Sequence, residues 1–152
     1  MNAAMIVACL AACQPPPDDP VPYRLVLDEH ELMAHVLDPA ADVIWSSAGA
    51  VITAQGETDL APTTDEGWLA VENAAATLME AGNLLMLPGR AADDGAWREY
   101  SRALSRTAER ALAAADARDA DALFDIGGEL YNVCLACHQA YDDMAGDAST
   151  NP

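Results

Sequence analysis

Cys134-Leu135-Ala136-Cys137-His138 sets two thiols and an imidazole side by side near the C-terminal end of the chain. Three chemistries use such a grouping. A thiol pair can cycle between dithiol and disulfide. Cysteine and histidine can supply part of a zinc site. A CxxCH run can attach haem, each cysteine forming a thioether to a vinyl group while the adjacent histidine coordinates the iron. On a helix, positions i, i+3 and i+4 put all three side chains on one face about a turn long, which suits haem. A thioredoxin-like pair needs a preceding strand in a βαβ setting, and no segment here alternates convincingly like a strand. A structural zinc site needs two more ligands of comparable affinity, and the remaining cysteines, Cys9 and Cys13, stand in an N-terminal apolar run.

The elements that must position this motif read as four helices. Asp28 with Glu31 forms a capping-box pattern, and Leu32, Met33, Val36, Leu37, Ala40, Val43 and Ile44 recur at helical spacing, predicting a helix from Asp28 to about Thr53. Pro39 predicts a kink or break near Asp38. Gly56 and residues 59–64 read as loop. Thr63 with Glu66 repeats the capping pattern for a second helix that stops at Pro88-Gly89. Asp93 or Asp94 can open a third, and Asp119 can cap a fourth from Ala120 to about Tyr141. Four helices of roughly twenty residues joined by short to medium loops predict an all-α fold, an antiparallel four-helix bundle.

Composition narrows the partners. The chain has 152 residues, 52% of them hydrophobic, enough for one domain with a real core. Twenty-five acidic residues against seven arginines and no lysine give a net charge of -18, which repels nucleic acid and anionic membranes and leaves basic partners possible. The run Ala3 to Cys13 is apolar, ends on small residues and is too short to span a bilayer, so residues 1–12 read as a signal peptide, although no basic residue precedes the run. Leu10-Ala11-Ala12-Cys13 resembles the lipobox of bacterial lipoproteins, which implies cleavage before Cys13 and its lipidation; an ordinary signal with a chance cysteine is the alternative. Residues 13–26, with the prolines of Gln14 to Pro22, then form a stiff tether. The four-helix body spans 27–143, and 144–152 form a small, polar tail expected to be disordered.

Taken together, "ELMAHVLDPAADVIW", "EAGNLLMLPGR" and "LFDIGGELYNVCLACHQAY" resemble an exported proteobacterial branch of the class II c-type cytochromes, the group of cytochrome c prime and its low-spin relatives. The likeness covers roughly Asp28 to Met144, and Tyr141 matches the family's aromatic residue after the histidine. Asp142 stands where the family commonly has a basic residue, so no role of that base carries over. The resemblance implies one covalent haem c on Cys134, Cys137 and His138. It also implies a second axial position that is filled in six-coordinate members by a methionine, here best matched by Met33, and is apolar and open in five-coordinate, gas-binding members. Met33 can equally be a core methionine, and His30, one turn earlier, can ligate, donate a hydrogen bond or merely start the helix. His35 sits among acids and reads as solvated.

Three smaller features complete the reading. Gly127-Gly128 inside a helix costs about 1 kcal/mol per glycine, offset by close approach of a neighbour or the porphyrin, or else marking a kink. Arg98, Arg102, Arg106 and Arg110 form an i+4 series with no glutamate four residues ahead, read as a solvated face or as contacts to propionates or an acidic partner. Trp45, Trp68 and Trp97 read as core or pocket packing. No nucleophile triad and no phosphate loop is recognisable, so the expectation is an electron carrier and not an enzyme, with a gas-binding haem protein as alternative. It faces the periplasm, meets the membrane only through its lipid anchor, exchanges electrons with redox partner proteins, binds no nucleic acid and can form a homodimer. Gln14 after Cys13 lacks the usual aspartate of inner-membrane retention and favours the outer membrane.

Overall fold

The computed structural model describes residues 23–145; the expected signal peptide, Cys13, the expected tether up to residue 22 and residues 146–152 of the expected tail lie outside the described residues, whereas Met144 and Ala145, read as part of that tail, continue the last helix. The described chain is mostly helical, with four helical segments and one two-stranded hairpin. The first segment is continuous from α1 (Glu29–Leu32) through a π-helical turn (Met33–Leu37) into α2 (Asp38–Trp45). Its start is the predicted capping box: Glu31 N donates to Asp28 Oδ1 at 2.7 Å, and Asp28 N donates to Glu31 Oε2 at 3.1 Å. The disturbance expected at Pro39 takes the form of the π turn just before it, in which Asp38 N donates to Met33 O, five residues back. Proline has no N–H and its ring crowds the carbonyl four residues earlier, and the wider turn relieves that crowding without ending the helix.

The helix ends at Trp45, well short of Thr53. Ser46, Ser47 and Gly49, the last at φ +82°, turn the chain out of it. The following residues form a hairpin that the sequence pattern missed: β1 (Ala50–Thr53) pairs antiparallel with β2 (Gly56–Asp59), Ala50 opposite Asp59 and Thr53 opposite Gly56. Both strands are exposed on both faces, so no in-out alternation marks them. The local signal is the β-branched run Val51-Ile52-Thr53 before Gly56.

Three long helices follow: α3 (Asp65–Leu85), α4 (Ala96–Ala117) and α5 (Ala120–Ala145). Thr64, one residue after the predicted cap Thr63, caps α3 by accepting from Gly67 N at 3.1 Å. Gly95 is the N-cap residue of α4, but Asp93 Oδ1 does the accepting, from Gly95 N at 2.6 Å and Trp97 N at 3.3 Å. Asp119 caps α5 through Ala122 N at 2.9 Å, and α5 runs past Tyr141. α3 packs along α4, α4 along α5, and α2 against both α3 and α5. Ile44, Val71, Leu78, Leu123 and Leu130 are fully buried between them, each contributing about 1.5–3 kcal/mol by leaving water. Small residues bring α3 and α4 together: a Cβ on Gly82 would stand 2.1 Å from Ser105 Oγ.

Candidate functional site

The pentapeptide lies well inside α5, so its register is fixed by the helix and by the burial of Leu123, Ile126 and Leu130 on the turns before it. Cys134 and Cys137 are free thiols, half-buried, and with His138 they line one cleft. Its other walls come from three elements: Met33 and Leu37 at the two ends of the π turn, Leu85 at the end of α3, and Tyr100, Ser101 and Leu104 on α4. The structure thus brings Met33 to the same cleft as both cysteines and the histidine. His30 and His35 are exposed and line no part of it. Leu37, Ala40 and Ile44, which share the apolar spacing of Met33, are buried, whereas Met33 is only partly so.

Burial raises both thiols above their ordinary value of 9.0. For Cys134 the negative charge of Asp38 adds to it, and for Cys137 the neighbouring Cys134 does. Both thiols are therefore protonated at neutral pH, the opposite of a reactive redox cysteine, whose thiolate is favoured by a helix N-terminus or nearby cations. Among the described residues no three His, Cys, Asp or Glu side chains converge as a group that could hold a metal ion.

Around the cleft stand Trp97, read from the sequence as core or pocket packing, Tyr141, matched to the aromatic after the histidine, and Arg90, which the sequence did not single out. Trp97 is buried, its indole N–H donating to Leu85 O at 2.8 Å, and its backbone carbonyl accepts from Ser101 Oγ at 2.9 Å. Tyr141 meets the Trp97 ring edge-to-face at 5.0 Å and donates its hydroxyl to Asp93. That bond pushes the Tyr141 phenol up to about 12 and holds the Asp93 carboxyl below the usual range. The turn of α5 after the motif is thereby tied to the start of α4. Arg90 is buried in the α3–α4 connection, donating to Leu84 O and Leu27 O, each at 2.9 Å. Tyr23 donates to Pro88 O at 3.2 Å in the same region, fastening the incoming chain. A spacing argument had no means of finding Arg90, because its partners are backbone carbonyls remote in sequence.

Two expectations are corrected in part. Arg98, Arg102 and Arg110 are paired, with Asp94 at 2.7 Å, Glu99 at 2.7 Å and Glu129; two of these partners lie three or four residues away, so local pairing accounts for more of the series than the glutamate spacing implies. These pairs are exposed and worth little individually. At Gly127 the close neighbour is Trp45, which donates its indole N–H to Gly127 O at 2.9 Å and leaves 3.4 Å to the place of a Cβ; Gly128 has nothing within 4 Å of that place.

The donor set fits a covalently attached haem: two protonated thiols one turn apart, an imidazole beside the second, a thioether sulfur from another helix and apolar walls between. The cleft's volume, about 30 Å³, is nearer one water than a macrocycle, so accommodating the group requires the side chains along it to part. No family model matches the chain, and no curated protein or solved structure matches it either.

Proposed function

We propose that the chain is a single-haem c-type cytochrome of the class II kind, an antiparallel four-helix bundle that carries electrons on the periplasmic side of a membrane to which lipidated Cys13 anchors it. The observation that supports this is the meeting of Met33 with Cys134, Cys137 and His138 at one cleft. A bound haem c supplies a one-electron ferric–ferrous couple. Cys134 and Cys137 would hold it by thioethers, His138 by its imidazole, and Met33 by its sulfur. Around them Leu37, Leu85 and Leu104 exclude water, and the Tyr141–Asp93 bond fixes the turn of α5 that carries the imidazole. With the Met33 sulfur as a ligand the bound group would have a higher potential and no place left for a gas, which would suit electron transfer over ligand binding. The net charge of -18 steers a basic redox partner and gives bilayer lipids no electrostatic hold beyond the anchor.

The test is the optical spectrum of chain co-expressed with the haem attachment machinery, in both oxidation states and with carbon monoxide. A low-spin spectrum indifferent to the gas, converted to a gas-binding one by Met33→Ala, is the expected outcome. High-spin iron that already binds the gas assigns the gas-binding class instead, and colourless protein removes both.

A further inference from the structure

A second, larger cleft of about 400 Å³ lies between the end of α2 and the first half of α5, and shares no lining residue with the first. In a chain with one Phe, three Trp and four Tyr, three aromatic rings line it, and all three are solvent-facing: Trp45 at 37%, Phe124 at 59% and Tyr131 at 56% exposure. Each ring is held in place. The indole N–H of Trp45 is fixed on Gly127 O at 2.9 Å. Tyr131 meets the Trp45 ring edge-on at 6.4 Å and 66°. Phe124 lies over Gly49, its ring carbons 2.9–3.0 Å from where a Cβ would stand. Gly128 keeps the α5 side open, with nothing within 4 Å of its missing Cβ. The one ionisable carboxylate on the wall is Asp125, which forms no ion pair among the described residues.

We infer that this cleft binds a small organic cation, an alkylammonium group with apolar substituents, through the three rings and the Asp125 carboxylate. Aromatic faces carry negative quadrupole density and attract a desolvated cation, and tertiary or quaternary ammonium groups lose little hydration on entering an apolar box. A bare metal ion needs several oxygen ligands, which one carboxylate among rings does not provide. A neutral apolar ligand would use the rings but not Asp125, and would ignore the field of a chain at -18. The site is of the size that small ligands occupy, and its fixed rings lower the ordering cost of binding. The inference is independent of the haem reading.

The test is calorimetric titration of the full chain with choline chloride and with 3,3-dimethyl-1-butanol, its neutral isostere. The cation should bind at least about ten-fold more tightly than the alcohol. Asp125→Asn and Phe124→Ala should each weaken it by about three- to ten-fold. Both substitutions are at exposed positions, and thermal unfolding of the variants checks that they fold; Tyr131→Ala serves in place of any that does not. Equal affinity for the two probes, binding unchanged in all three variants, or no heat for choline at millimolar concentration overturns the assignment.

Discussion

Replacing Gly82 with alanine should destabilise the protein, whereas the same change at Gly128 should stabilise it. In a helix interior alanine is favoured over glycine by about 0.8–1 kcal/mol, so propensity alone predicts a gain at both sites. At Gly128 nothing lies within 4 Å of the new Cβ, and the gain stands. At Gly82 the Cβ would fall 2.1 Å from Ser105 Oγ and 2.6 Å from Ser101 O. Ser105 can rotate away, but it then loses its hydrogen bond to Met79 O, about 1 kcal/mol. Ser101 O is α4 backbone and moves only if the two helices separate, an overpacking cost of about 1–3 kcal/mol. The balance is a loss of about 1–3 kcal/mol at Gly82, or a melting temperature lower by roughly 2–12 °C, against a rise of about 2–4 °C at Gly128. Urea titration followed by far-ultraviolet circular dichroism measures both. Adding Ser105→Ala to Gly82→Ala should recover only part of the loss, because the backbone oxygen stays. A Gly82→Ala protein as stable as the parent would refute the close α3–α4 approach, and with it the placement of Leu85, Ser101 and Leu104 around the cleft.

Arg90→Met should cost about 2–4 kcal/mol in the same titration, since it leaves Leu84 O and Leu27 O without their charged donor. In chain produced without haem attachment, iodoacetamide should modify Cys134 and Cys137 more slowly at pH 8 than it modifies a free cysteine peptide, as followed by mass spectrometry. Because their folded values are raised, the stability they contribute is complete below the ordinary thiol value of 9.0 and declines as pH rises through the folded values. An alkaline titration at 295 nm should show one tyrosine ionising near 12, abolished by Tyr141→Phe. The Tyr141–Asp93 contribution should be intact between the two extremes, fading above the ordinary tyrosine value of 10.0 and again as acid protonates Asp93.

Much of the helical framework was legible because it rests on local physics. The Asp28–Glu31 box and the Asp119 cap are side chain-to-backbone bonds within one turn, and the apolar periodicity of Leu32 to Ile44 needs only burial on one side. The hairpin was not legible: with Val51 and Ile52 both exposed, no buried face imposes alternation, and four-residue strands leave too little pattern to read. The motif's face on α5 follows from helical geometry. What shares the cleft with it, from Leu85 to Tyr100 and Leu104, depends on how three helices meet, and spacing within any one of them carries no record of that.

The π turn makes the position of Met33 a matter of phase. One residue of slack sits between the capped start of the segment and Pro39, so the α1 end and the α2 end are rotated relative to each other by about 100° compared with an unbroken α-helix. Replacing Pro39 with alanine would remove the crowding that widens the turn and let the segment rewind to regular geometry with its length unchanged, without touching a cysteine, the histidine or the methionine itself. It would swing Met33 away from the wall it shares with Leu37, leaving the same set of ligand types in the chain but no longer facing one another.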